Sequence, residues 1–304
     1  MQGTVDGFSY GLVTPVAAYL MACLGGALGL RCTTRSLRNR ESFKAGWLVL
    51  GATSIGTGIW TMHFIAMMGF SVRQVPIGYD RPLTFASLGV AVLMVGIGIF
   101  IVGYRGATRL TLVTGGTITG LGIATMHYLG MAGMRLHGRI EYDTPTVALS
   151  VVIAVVAATA ALWAAVSVHG FLASLGASMV MGLAVSGMHY TAMAAVHVNL
   201  YAEGTSPVVG DSATSLLLPM LIGPGVFLLL AAVVVMFDPL LVMGEPDWQR
   251  PASQGGPRPG VPAPRRPAAY GEPANWAAKP PSGRGARRGG RGGTQRGVHR
   301  SQDW

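Results

Sequence analysis

Three short segments place a histidine between methionines: Met62-His63-Phe64-Ile65-Ala66-Met67, Met126-His127-Tyr128-Leu129-Gly130-Met131 and Met188-His189-Tyr190-Thr191-Ala192-Met193. The shared pattern is M-H-[FY]-x-[AG]-M, and the histidines are 64 and then 62 residues apart. One copy of such a pattern arises easily by chance, whereas three at near-equal spacing mark a duplicated unit. Imidazole and thioether are soft or borderline ligands without charge. They suit copper, above all Cu(I), better than Mg, Ca or Mn, which prefer oxygen. Zinc more often recruits a cysteine or a carboxylate, and none stands within the motifs. The candidate metal ligands are therefore Met62, His63, Met67, Met126, His127, Met131, Met188, His189 and Met193. On a helix of 3.6 residues per turn, His at i and Met at i+4 are about 40° apart and share a face, while Met at i−1 lies about 100° round, toward a neighbouring helix. Met134, seven residues after His127, extends the same stripe. A methionine stripe alone is core filler, and a lone intramembrane histidine is a hydrogen-bonded packing residue. Three histidines in one layer, each beside methionine, weigh toward a metal centre.

The elements that must position these residues read as membrane spans. The chain is 51% hydrophobic and only 11% charged, which sets it apart from soluble domains. Seven stretches are long and apolar enough to cross a bilayer: about 10–30, 45–70, 83–104, 110–134, 146–168, 171–197 and 216–237. Only helices satisfy their own backbone groups there. The expected fold is all-α: a polytopic membrane domain over 1–243, seven transmembrane helices built from repeated helical hairpins, and a disordered tail over 244–304. The boundary between the fifth and sixth spans, at His169 and Gly170, is the least marked. No Lys or Arg stands in the first nine residues, so the first apolar run reads as a retained span rather than a cleaved signal. Cys23 and Cys32 outline no disulfide framework.

Charge sets the expected orientation. Arg31, Arg35, Arg38, Arg40, Lys44, Arg105 and Arg109 fall at one end of the spans, together with the tail. Asp80, Glu141, Asp143, Glu203 and Asp211 gather at the other. The positive-inside rule then puts the N-terminus outside and the C-terminus in the cytoplasm, with an odd number of spans. Counted to Arg73, Arg135 and Asn199, the three histidines lie about 12–15 Å below the outer loops, in one layer of the outer half of the bilayer. His137 and His197 stand at outer helix ends and are expected to be solvated, with guarding or feeding the site as the alternative; His169 and His299 fall outside it. Phe64, Tyr128 and Tyr190 are expected to be packing residues, with a tyrosine hydroxyl orienting a neighbouring imidazole as the alternative. Residues 250–304 hold 11 Lys+Arg against 2 Asp+Glu. This Gly/Pro/Arg-rich tail is expected to be solvated, with attraction to anionic lipid as its first alternative and nucleic-acid binding a remote one.

The three motifs resemble the MHYT domain, a bacterial integral-membrane sensor module of seven spans; Met188-His189-Tyr190-Thr191 spells the motif in full. The resemblance covers about residues 8–240, and the first two copies depart at their third or fourth letters. It implies copper held by the motif Met and His residues, sensing of a diatomic gas (O2, CO or NO) or of redox state, and a place in the bacterial cytoplasmic membrane. Relatives of this kind often carry a cytoplasmic output domain. None is visible after Pro246, which implies a separate cytoplasmic signalling partner in the stand-alone form. A copper-handling carrier or transporter is the alternative function, although no Asp or Glu lies within the spans. No nucleophile–base pair or phosphate loop points to an enzyme.

Overall fold

A computed structural model describes residues 2–38, 44–168, 170–201 and 211–237. Among these are seven helices: α1 (Val13–Arg38), α2 (Lys44–Met68), α3 (Arg81–Arg105), α4 (Arg109–Ala132), α5 (Thr144–Ser167), α6 (Phe171–Ala194) and α7 (Ala213–Met236). The all-α expectation holds, and the chain is a multi-pass membrane protein. Six of the helices are both long and apolar enough to cross a bilayer. The exception, α4, has the same length but is rich in Gly and Thr, which lower its hydropathy while letting α3 and α5 pack closely on either side. The expected tail over 244–304, Arg40 and Glu203 all lie outside the described residues.

Local chemistry starts and stops the helices where the sequence changes. Asp80 caps α3 by accepting from the Leu83 amide at 3.1 Å, with Pro82 in the first turn. Asp143 does the same for α5 through the Thr146 amide at 3.0 Å. The short fifth connection works because Gly170 takes φ of 91°, which lets the chain reverse directly into α6. The first helix runs eight residues past the expected end at 30, because Arg31 and Arg35 extend beyond its apolar stretch without breaking it.

Helices α1 to α6 pack in sequence and close back from α6 onto α1, while α7 lies against α2 and α1. Helix α2 also touches α4 and α6, so it brings the three motif helices together, and it is the most buried of the spans. Close approach is made by glycine. A Cβ on Gly58 of α2 would stand 2.7 Å from the Gly25 Cα of α1, and one on Gly120 of α4 would stand 2.5 Å from the Val155 Cα of α5. No larger residue fits either crossing.

The loops at the far ends of the motif helices do not remain loops. Seven short strands form there: β1 (Val5–Asp6), β2 (Ser71–Val72), β3 (Gly78–Tyr79), β4 (Met134–Arg135), β5 (Gly138–Tyr142), β6 (Val196–Leu200) and β7 (Asp211–Ser212). Strand β1 pairs with β2, β3 pairs with both β4 and β7, and β5 pairs with β6 from Gly138↔Leu200 to Tyr142↔Val196. An ion pair of 3.0 Å from Arg135 to Asp80 adds to the β3–β4 tie. Each loop that follows a motif helix is thereby hydrogen-bonded to another repeat's loop. This cap was not expected from sequence. The sixth apolar stretch, read as running to 197, in fact ends at Ala194, and β6 begins two residues later.

Candidate metal centre

His63, His127 and His189 each stand five residues before the end of their helix. The common register puts all three at one level, about 7–8 Å inside the helix ends, shallower than the 12–15 Å counted to the loop arginines. Each is about 1% exposed. Their Nδ1 atoms converge: His63 to His189 at 3.1 Å, His63 to His127 at 3.2 Å and His127 to His189 at 3.3 Å. The rings stand edge to face, at 74° to 80° to one another.

Such a triangle cannot be satisfied by hydrogen bonds alone. A neutral imidazole carries one N–H and one lone pair. With three Nδ1 atoms in mutual contact, every assignment of hydrogens leaves at least one pair facing lone pair to lone pair or hydrogen to hydrogen. A cation accepted by three lone pairs removes the conflict. The size also fits, since the centre of a triangle of these sides lies about 1.85 Å from each nitrogen, close to metal–imidazole bonds of about 2.0–2.1 Å. Among the described residues this is the one group of three or more His, Cys, Asp or Glu side chains whose ligand atoms come this close.

With Nδ1 turned inward, Nε2 points outward. The Nε2 atoms of His63 and His127 are buried with no hydrogen-bond partner. Ligating histidines usually donate that second N–H to a carboxylate or carbonyl, so here ring orientation rests on packing instead. Phe64 stands edge-on to His63 at 4.6 Å between centroids. Gly130 supplies the other wall, for a Cβ there would lie 2.7 Å from His63 Nε2. The [AG] position of the motif, Ala66, Gly130 and Ala192, was legible in the sequence, but its role as a cradle was not.

Of the other expected site residues, Met62, Met67, Met126, Met131 and Met188 are almost fully buried in the core cluster that surrounds the histidines, and Met193 is half-buried against it. Among the described His, Cys, Asp and Glu side chains, the three imidazoles are the group brought to ligand spacing. The tyrosines do not orient histidines: the Tyr128 hydroxyl pairs with Ser150 of α5 at 2.8 Å, and the buried Tyr190 hydroxyl has no partner. His197 is exposed on β6, its Nδ1 3.2 Å from the Ala195 carbonyl oxygen. His137 is half-buried and lines a cavity at the capped end of α4. Cys23 and Cys32 are not joined in a disulfide.

The fold and the buried triad define a class, a helical membrane domain with internal repeats whose motif histidines share one layer. Residues 56–115 and 120–178 match the family described as "MHYT: Bacterial signalling protein N terminal repeat", and this region of the chain belongs to that family. The matches contain the first two motifs and end before the third. The bifunctional diguanylate cyclase/cyclic di-GMP phosphodiesterase MucR of Pseudomonas aeruginosa is 39% identical over 197 residues, 63% of this chain and 29% of the relative. The cyclic di-GMP phosphodiesterase NbdA of the same organism is 35% identical over 233 residues, 73% of this chain and 29% of the relative. Signaling protein YkoW of Bacillus subtilis is 32% identical over 184 residues, 58% and 23%. The chain spans less than a third of the length of these relatives, and the enzyme activities in their names belong to those proteins. No solved structure matches.

Proposed function

We propose that this chain is a membrane sensor that holds a copper ion at His63, His127 and His189 and reads a diatomic gas (O2, CO or NO) or redox state there. The observation that carries the reading is the Nδ1 triangle, a buried arrangement that cannot be satisfied by hydrogens and fits one cation. Three neutral donors without a carboxylate favour an ion of low charge and soft character, as Cu(I) is. A copper ion held by the three imidazoles would supply a change of oxidation state and affinity for a diatomic ligand. The protein supplies three fixed nitrogens, a shell of buried methionines, and exclusion of water by Phe64 and the surrounding core. MHYT relatives named as signalling proteins support a signalling output, delivered to a cytoplasmic partner, with the strand cap outside and the basic helix ends inside.

The carrier alternative fares worse against one feature. One turn inward from the triad lie Ile59, Ile123 and Val185, 3–5% exposed, which line a small, mostly apolar cavity of about 30 Å³ with Ile99 and Leu162. The three motif helices offer a cation no donor at that level, the next ones inward being the Thr119 hydroxyl and the Met181 thioether a further turn along, and the triad reads as a terminus rather than a station on a path. The test is metal content by mass spectrometry of tag-free protein, wild type against H63A, H127A and H189A. We expect close to one copper per chain in the wild type and a large loss in each variant; equal contents in all four would overturn the reading.

A further inference from the structure

The triad leaves unused a second set of soft donors, and these meet in one cavity. A space of about 630 Å³ opens beside the capped end of α4 and is lined by Tyr128, Met131, Met134, His137, Tyr142 and Tyr201 among others. Two arginines also face it, yet each has a carboxylate nearby, Arg135 with Asp80 at 3.0 Å and Arg139 with Glu141 at 4.0 Å. With those charges matched, two thioethers and one imidazole are the remaining donors of chemical interest. They form a graded series. His137 is half-buried, Met134 is 5% exposed, Met131 is fully buried, and His127 of the triad lies one helical turn further along α4 from Met131.

We propose that this cavity is a second soft-metal site, a vestibule in which His137 and Met134 capture a soft monovalent cation and Met131 relays it to His127. The ligand class is Cu(I), with Ag(I) as its redox-inert analogue. Thioether sulfur selects such ions and needs no deprotonation, and neutral imidazole accepts them through a lone pair. Each step is ligand exchange: the ion gains one donor as it leaves another, and no electron or proton changes hands. The series explains why soft donors continue past the motif at 134 and 137 in the second repeat, where the cavity opens. The destination of the relay rests on the triad reading above; capture in the vestibule stands without it.

The experiment uses the full chain in detergent with methionine methyl groups labelled with carbon-13, the Met131 and Met134 signals being assigned with M131L and M134L. On titration with Ag(I), the Met134 methyl is expected to shift in the wild type and equally in the H63A/H189A double variant. In a second arm, M134L/H137N is expected to take Cu(I) from a chromogenic chelator about tenfold more slowly than the wild type, and to reach the same final stoichiometry. A Met134 methyl that does not respond to Ag(I), or a loading rate unchanged in M134L/H137N, overturns the vestibule. A responsive Met134 methyl in a wild type that retains no tightly held ion upholds the vestibule and removes the triad reading.

Discussion

Gly130→Ala separates what the helix wants from what the metal centre needs. In an ideal helix interior the change stabilises by about 1 kcal/mol, since Ala is the better helix former. Here the new Cβ would lie 2.7 Å from His63 Nε2, 3.3 Å from His63 Cδ2 and 3.3 Å from Phe64 Cζ. An ordinary carbon–nitrogen contact is about 3.5 Å, so the His63 ring must retreat by about 0.8 Å. It has little room, enclosed by Phe64, His127 and His189 at ring separations of 4.6–5.0 Å. Overpacking of this kind costs about 1–3 kcal/mol, which cancels the helix gain and leaves the metal-free fold between unchanged and about 2 kcal/mol less stable. Metal affinity is a different matter. Ligand bonds tolerate about 0.2 Å, so the displaced Nδ1 no longer ligates and the triad becomes a pair. The expected loss in Cu(I) affinity is about 10- to 100-fold, or about 1.4–2.8 kcal/mol. The assay is chelator competition on purified protein, with thermal melts of the metal-free form beside it. Gly187→Ala is the control: it lies two residues from His189, yet a Cβ there meets nothing within 4 Å, so affinity should not change. Wild-type affinity in G130A, or an equal loss in G187A, would refute the packing argument.

Two further outcomes follow from the same contacts. Tyr128→Phe removes a hydroxyl bonded to Ser150, which also donates to the Val147 carbonyl at 2.7 Å, so stability should fall by about 1 kcal/mol or less with Cu(I) affinity unchanged; a tenfold loss in affinity would contradict the assignment of that hydroxyl to α5. At the cap, the Leu83 amide and then Arg135 hold the Asp80 carboxyl below its ordinary value of 3.8, and the Thr146 hydroxyl and amide do the same for Asp143. A depressed carboxylate contributes fully above that ordinary value and loses its contribution as pH falls through the lower folded one. The protection factors of the Leu83 and Thr146 amides, corrected for the intrinsic pH dependence of exchange, should therefore hold from pH 7 to 5 and fall only below about pH 4; loss of protection near pH 6 would show that these caps are not carboxylate bonds.

The repeat pattern made the triad legible before any coordinates. Histidines 64 and 62 residues apart, each on a span of like direction, must share a level, because an out-and-back hairpin returns the chain to the same face of the bilayer. The depth that loop charges imply exceeds the observed one because residues such as Arg73 lie beyond β2 rather than at the helix end. The cap itself escaped notice because strands of two to five residues carry no periodicity, and their pairing joins residues far apart in sequence, such as Gly78 with both Arg135 and Ser212. The partner of the Tyr128 hydroxyl is hidden from the sequence for a related reason: Ser150 is 22 residues away on the next helix, and nothing local announces it.

Composition and spacing determined the helical membrane architecture, the duplicated hairpin and the identity of the three ring-bearing residues, since apolar length and repeat period are one-dimensional quantities that bilayer thickness and helix pitch convert directly into position. Only the tertiary structure decided that Nδ1 rather than Nε2 faces inward, that Gly130 walls the His63 ring, and that Met134 and His137 open onto a shared cavity. Those outcomes depend on rotamers set by neighbours on other helices, and the choice among staggered wells is made by packing that the local sequence does not contain.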